Sequence, residues 1–298
     1  MGEFDFAVIG AGASGEAAAH YARGRGASVA VIDRDLFGGS CPFWACMPSK
    51  TLLHAADVRA HGGEYPWPKA SARRDYMIVR EGIEYPNDGG HVRSLEAAGA
   101  TVIRGAARFT GPGFLEVRHE DTVHELRART IVIAVGSTGK VPPIEGLSEA
   151  GYWSNIEATS TRELPRSIAV LGAGPSGVEI AQYYARFGVR TAIIAPRQLN
   201  PSDHPRSSEL LAKKFREEGI DVRTGVRADR VCATGGRDGA HAIELSDGST
   251  VEAHVIQLSV GRTAAPALRT LGLDAIGVAY DGADTLAVGD DLRVTDGV

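Results

Sequence analysis

Two cysteines, Cys41 and Cys46, stand five positions apart in Gly38-Gly39-Ser40-Cys41-Pro42-Phe43-Trp44-Ala45-Cys46-Met47-Pro48-Ser49-Lys50. The chain has only three cysteines, and the third, Cys232, is isolated and reads as an ordinary thiol. So sparse a set is not the framework of a secreted disulfide scaffold, and the close pair reads as redox-active or catalytic in a reducing compartment. Zinc is the competing chemistry, but no second Cys or His pair at ligand spacing follows, so no metal is assigned. Residues five apart on a straight helix rise about 7.5 Å, whereas the Cα atoms of a disulfide lie about 4.4–6.8 Å apart. A bond between these two therefore needs an irregular turn. Pro42 and Pro48 each remove a backbone donor, and Pro48 also clashes with the carbonyl four residues back, so a distorted first turn is expected.

The elements that would position this pair come as one unit used twice. Ala7-Val8-Ile9-Gly10-Ala11-Gly12-Ala13-Ser14-Gly15-Glu16 recurs as Ala169-Val170-Leu171-Gly172-Ala173-Gly174-Pro175-Ser176-Gly177-Val178, an offset of 172 − 10 = 162 residues. Each copy is an apolar run fit for a buried parallel strand, a GxGxxG turn, a helical pattern and another apolar run, which makes two βαβ units. In such a turn the first glycine permits the bend, the second lets backbone approach a pyrophosphate and the third lets helix and strand pack. The phosphates then meet free N–H groups at a helix N-terminus.

The first unit ends at Asp33, a carboxylate placed to accept hydrogen bonds from an adenosine ribose. The second has Ala195 where that acid would stand, with Arg190 and Arg197 nearby. Loss of the acid removes repulsion against a ribose 2′-phosphate, and an arginine could pair with it, which favours NADPH over NADH. Solvated surface is the other reading of these arginines.

Of the 298 residues, 43% are hydrophobic and 23% charged, the balance of a soluble globular chain of two domains. The net charge of −5 argues against a general nucleic-acid surface. No apolar stretch approaches the ~20 residues that span a bilayer, and the start lacks the basic region and apolar run of a signal peptide. The expected location is cytoplasmic. Between the units, Gly99–Gly105 reads as helix end, strand and turn, followed by two short strands near Phe114–Val117 and Thr122–Leu126, then a buried strand Thr130–Ser137. The fold class is α/β, with domains expected at 1–149 and 150–270 and a return to the first at 271–298.

Two GxGxxG loops, the CxxxxC-Met-Pro-Ser-Lys segment, the strand end Ile133-Ala134-Val135-Gly136 and Val260-Gly261-Arg262 together resemble the FAD-dependent pyridine nucleotide-disulphide oxidoreductases. The resemblance covers essentially the whole chain and implies two Rossmann-like domains, one for FAD and one for NAD(P)H. It implies that Gly10, Gly12, Ala13, Ser14, Gly15 and Asp33 hold FAD, with Gly39, Ser40, Lys50, Ala107, Val135, Gly136 and Ser137. Gly172, Gly174, Pro175, Ser176, Gly177, Glu179, Arg197, Val226 and Gly261 would line the nicotinamide dinucleotide. Cys46 would be the sulfur next to the flavin and Cys41 the interchange thiol, while Lys50 and Glu179 would form a buried ion pair. The substrate would be a small-molecule or protein disulfide, with no nucleic-acid or membrane partner.

Pro42-Phe43-Trp44-Ala45 replaces the Leu-Asn-Val-Gly of dihydrolipoyl dehydrogenase, so bulky aromatics are expected to alter substrate access. Ala287-Val288-Gly289-Asp290 looks like the family's flavin-binding Gly-Asp motif. It precedes the segment Leu292–Val298 that comes before that motif in relatives, so Asp290 is given no role. The chain is thus expected to stop short of that motif and of the dimerisation domain through which relatives form homodimers. A non-catalytic nucleotide-binding fragment and a flavoprotein passing electrons to oxygen or a quinone are the alternatives.

Overall fold

The computed structural model describes residues 2–82 and 84–295; Met1, Ile83 and Asp296–Val298, and with them the two ends of the expected domain spans, lie outside the described residues. In chain order the elements are β1 (Gly2–Ile9), α1 (Ala13–Arg23), β2 (Val29–Asp33), α2 (Ser40–Trp44), α3 (Cys46–Ala60), α4 (Trp67–Met77), α5 (Gly89–Ala97), β3 (Thr101–Arg104), β4 (Ala106–Gly111), β5 (Phe114–His119), β6 (Thr122–Ile133), β7 (Thr138–Gly139) and α6 (Leu147–Ala150). They continue with α7 (Asn155–Ser160), β8 (Ser167–Leu171), α8 (Pro175–Arg186), β9 (Arg190–Ala195), α9 (Pro205–Glu217), β10 (Asp221–Thr224), β11 (Ala228–Cys232), β12 (His241–Leu245), β13 (Thr250–Ala253) and β14 (Val255–Leu258).

The chain divides into two compact units, and the division is not the expected one. The first holds Met1–Phe43, Val79–Thr138 and Arg262–Val298; the second holds Trp44–Ile78 and Gly139–Gly261. The segment with α3 and α4 joins the second unit because its apolar residues Leu52, Ala55, Ala56 and Trp67 share a core with α8 residues Ile180, Tyr183 and Tyr184.

In the first unit a six-stranded sheet runs β3-β2-β1-β6-β5-β4. The β3, β2, β1 and β6 pairings are parallel, with Val8 opposite both Val31 and Val132, and β6-β5-β4 are antiparallel. Val29 to Ile32 are all buried, as a central parallel strand covered on both faces requires. One face takes Ala19, Ala22, Phe37 and Leu95; the other takes Phe109, Leu115 and the returning residues Leu268, Leu271 and Leu273. The two strands expected at 122–126 and 130–137 are one. No Gly or Pro interrupts Thr122–Ile133, so β6 runs unbroken, pairing with β5 through its first half and β1 through its second.

The second unit repeats the scheme with a parallel sheet β10-β9-β8-β14 and adds an antiparallel sheet β11-β12-β13. All five residues of β8 are buried. One face of the parallel sheet packs on α8, α3 and α4, where Trp67 meets Phe187 edge to face at 5.0 Å. The other packs on Val231, Ile243, Leu245 and Val251 of the small sheet. Among the described residues no helix is long and apolar enough to cross a membrane, and no group of three or more His, Cys, Asp or Glu could hold a metal ion.

Candidate active site

The glycines of the first loop divide between packing and opening. At Gly10 (φ 102°) a Cβ would stand 2.3 Å from the Ala134 carbonyl oxygen, and at Gly15 it would stand 1.8 Å from the Gly10 carbonyl oxygen. Gly12, the N-cap of α1, differs: a Cβ there would meet only the Gly39 Cα, at 3.9 Å. The second loop does the same. Cβ atoms on Gly172 and Gly177 would lie 2.3 Å and 2.2 Å from backbone oxygens, while Gly174, the N-cap of α8, has nothing within 4 Å. A matching backbone bond closes each loop, Gly38 N–H to Ala11 O and Asn200 N–H to Ala173 O, both 2.7 Å. Neither N-cap is filled by a side chain. Each loop therefore presents an open cradle at a helix N-terminus, next to Ala13 and Ser14 in one and Pro175 and Ser176 in the other, which fits a pyrophosphate and which a methyl group would occupy.

Asp33 closes β2 and braces the first loop: its Oδ2 accepts from the Ala11 N–H at 2.7 Å and its Oδ1 from the Asp35 N–H at 2.8 Å. The Gly105 N–H donates to the Asp33 carbonyl, which sets the turn before Ala107 beside it. Past β6, Val135 packs on the core, Gly136 takes φ 66°, and Arg262 donates to Ser137 through Nε at 2.8 Å and through Nη2 to its carbonyl.

In the second unit Ala195 is buried at the end of β9, and Val226 donates its N–H to the Ala195 carbonyl at 3.2 Å. Arg197 is exposed just beyond. Arg190 is at the other end of the six-residue strand, about 16 Å away at the usual rise per residue, so it is set aside as a ribose-phosphate partner. Gly261 (φ 114°) accepts from the Lys140 N–H at 2.9 Å.

The helix breaks between the two cysteines. Cys41 lies on α2 and is half-buried, Cys46 opens α3 and is exposed, and Ala45 between the helices adopts φ −131°, ψ −93°. Phe43 and Trp44, expected to alter substrate access, instead turn inward, 1% and 7% exposed. In the first unit Phe43 meets the His91 ring at 5.6 Å edge to face, and His91 Nδ1 is 2.8 Å from Glu16 Oε1. Asp88 accepts from the Phe37 N–H at 2.9 Å and from Arg104 at 2.6 Å, so α5 and the residue before it back the Gly38-Gly39 corner where Ser40 begins α2. In the second unit the Trp44 carbonyl accepts from Asn155 Nδ2 at 2.7 Å. Lys50 Nζ lies 2.6 Å from both Glu179 oxygens. The pair forms, but it is not buried: the side chains are 61% and 27% exposed, because Lys50 faces outward from α3.

The sequence model of the pyridine nucleotide-disulphide oxidoreductases matches residues 4–298. The chain belongs to that family. The family uses FAD and NAD(P)H. The chain is 32% identical over 306 residues to mercuric reductase of Shigella flexneri, covering 99% of this chain and 54% of that protein. It is 32% identical over 296 residues to dihydrolipoyl dehydrogenase of Chlorobaculum tepidum, covering 93% of this chain and 60% of that one. It therefore spans little more than half the length of these curated relatives. In fold it is similar to the HOCl-induced flavoprotein disulfide reductase RclA from Escherichia coli, with a TM-score of 0.84 at 24% identity over 98% of this chain and 64% of that one.

The support given by His91, Glu16, Asp88 and Asn155 was not legible in the sequence, each being distant from what it holds; the one local sign was Pro48, which has no N–H to donate to the Trp44 carbonyl. Asp33, doubly engaged in bracing its loop, gives a test of the first site. Asp33→Ala is expected to weaken FAD binding about tenfold or more, ~1.4 kcal/mol, in a fluorescence titration. An unchanged affinity removes Asp33 from the site.

Proposed function

We propose that this chain forms the two dinucleotide-binding units of an NAD(P)H-dependent flavoprotein disulfide oxidoreductase in which Cys41 and Cys46 are the redox pair. The observation that carries the reading is the repeated cradle: two loops in which the outer glycines are packed shut and Gly12 and Gly174 stand open. Gly10 to Gly15, Asp33, Gly39, Ser40, Ala107 and Val135 to Ser137 would hold FAD; Gly172 to Gly177, Arg197, Val226 and Gly261 would hold the nicotinamide dinucleotide. When bound, FAD supplies the two-electron chemistry that links NAD(P)H to a disulfide.

The protein's own part is positional and electrostatic. The Lys50–Glu179 pair fixes an ammonium on the exposed face of α3, one turn beyond Cys46. Cys41 attacks a substrate disulfide and Cys46 resolves it: the substrate S–S bond breaks, a Cys41–Cys46 bond forms, and two electrons with two protons pass to the substrate sulfurs. The substrate is a small-molecule or protein disulfide. The buried Ala195 with exposed Arg197 supports NADPH over NADH. We place the working enzyme in the cytoplasm as a homodimer, on the strength of the thiol pair and the habit of its relatives.

The test is an anaerobic titration of FAD-reconstituted protein with NADPH and with NADH, followed by flavin absorbance. Wild type is expected to consume one reducing pair more per chain than Cys46→Ser, since a disulfide is a two-electron couple. Equal consumption would leave a flavoprotein that serves oxygen or a quinone. Failure to take up FAD would leave a nucleotide-binding fragment.

A further inference from the structure

The carbonyl of Trp44 is denied a helical partner by the sequence. In an α-helix it would accept from the N–H of residue 48, and residue 48 is a proline. Trp44 is buried, and a buried carbonyl left without a donor costs about 1–3 kcal/mol. Asn155, the first residue of α7, supplies the donor through Nδ2 at 2.7 Å. Thr159 Oγ1 is 3.5 Å from the same oxygen, but its proton is better used at the Asn155 carbonyl, 2.8 Å away.

Although α7 has only six residues, both of its ends are tied. Ser154 Oγ accepts from the Ile156 N–H at 3.0 Å, and Glu157 accepts from the Ser154 N–H at 2.7 Å, a capping box. At the other end the Ala158 carbonyl accepts from the Tyr183 and Tyr184 hydroxyls at 2.8 and 2.7 Å. The Thr159 and Thr161 carbonyls accept from Arg74 Nη1. Burial pushes both tyrosine pKa values well up, so these hydroxyls stay donors across the working pH range.

We propose that Asn155 is a positioning residue for the redox turn. By standing in for the N–H that Pro48 lacks, it holds the Trp44 carbonyl out of helical register and keeps the backbone broken at Ala45, the irregularity that a Cys41–Cys46 bond requires. The inference deepens the function proposed above and rests on it. Asn155 touches no reacting atom. It acts on the dithiol state, where the strap keeps the turn arranged for closure and raises the effective concentration of one thiol at the other. The disulfide state is already constrained by its own bond and gains less. Removing the strap therefore shifts the couple toward the dithiol.

Two variants of the whole chain test this. Asn155→Ala removes the donor. Asn155→Asp keeps the size, and a carboxylate suits the first turn of α7, yet an ionised carboxylate only accepts and so opposes the Trp44 carbonyl. Wild type and variants are equilibrated in dithiothreitol redox buffers, and the Cys41–Cys46 disulfide fraction is read by alkylation and peptide mass. The disulfide-forming equilibrium constant is expected to fall about tenfold in Asn155→Ala, ~30 mV toward less negative potential, and further in Asn155→Asp, with α7 intact by thermal melting. Variants at the wild-type constant, or Asn155→Asp nearer to wild type than Asn155→Ala, overturn the inference alone. A wild-type chain that forms no Cys41–Cys46 disulfide in any buffer overturns the redox reading, and this inference with it.

Discussion

Gly174→Ala is expected to fold as the wild-type chain does and to lose dinucleotide binding, whereas Gly177→Ala, three residues on, is expected to lose stability. The contrast follows from what each added methyl meets. Gly174 has φ −74° and ψ −178°, an extended backbone open to any residue, and its Cβ would meet nothing within 4 Å. The methyl therefore sits in the cradle, over the α8 N-terminus where pyrophosphate oxygens would approach backbone. A Cβ on Gly177 would lie 2.2 Å from the Gly172 carbonyl oxygen and 3.2 Å from Ser259 Cβ. Only movement of α8 off its sheet relieves that, and α8 contributes Val178, Ile180, Ala181, Tyr183 and Tyr184 to the core. The expected cost is about 3 kcal/mol, read by urea unfolding. For Gly174→Ala the readout is ligand protection: NADPH raises the melting temperature of a protein that binds it, and the variant should show at least a tenfold weaker effect in concentration. Full protection of Gly174→Ala by NADPH would mean that the second loop is not the cradle.

The same contacts explain why these loops were legible in sequence. Gly15 and Gly177 are each demanded by the carbonyl five residues back, so there the pattern and its cause lie in the same few residues. Gly10 and Gly172 meet the distant Ala134 and Ser259 carbonyls, but the positive φ of the turn itself, 102° at both, already selects glycine locally. Asp33 was legible for the same reason, bonding the loop one strand away. The Cys41–Cys46 irregularity was half legible. Pro48 announces that the Trp44 carbonyl lacks its helical donor, but Asn155 is 111 residues further along the chain and nothing local selects it. His91 and Glu16 are similarly 75 residues apart. The inward turn of Phe43 and Trp44 was illegible because a five-residue helix is too short to show a buried face by periodicity. The grouping of α3 with the second unit was illegible too: its apolar residues Leu52, Ala55 and Ala56 would suit either sheet, and only the matching surface of α8 decides.

The largest loss of stability is expected from Arg74→Ala. Among the described residues Arg74 is the largest fully buried side chain, with 0% exposure. Its Nε donates to Asp75 at 2.8 Å and its Nη1 to the Thr159 and Thr161 carbonyls, which ties α4 to the end of α7. Truncation leaves two carbonyls without their donor and a cavity the length of the side chain, and removing one partner of a buried ion pair costs about 3–5 kcal/mol. Asp75 keeps Arg162, whose Nη2 is 2.7 Å away and whose side chain is partly exposed, so Asp75 is not left bare. For that reason the lower half of the range is expected. Arg162→Ala removes a solvent-screened partner and should cost only about 1 kcal/mol or less. Urea unfolding of the two variants separates them, and an Arg74→Ala chain within 1 kcal/mol of wild type would show that α7 is held by its cap and the two tyrosines alone. The consequence reaches the cysteines, because the strap on Trp44 is only as firm as the helix that carries it. Arg74→Ala should therefore shift the Cys41–Cys46 couple in the same direction as Asn155→Ala but by less, since the Asn155 amide remains and only its mounting loosens.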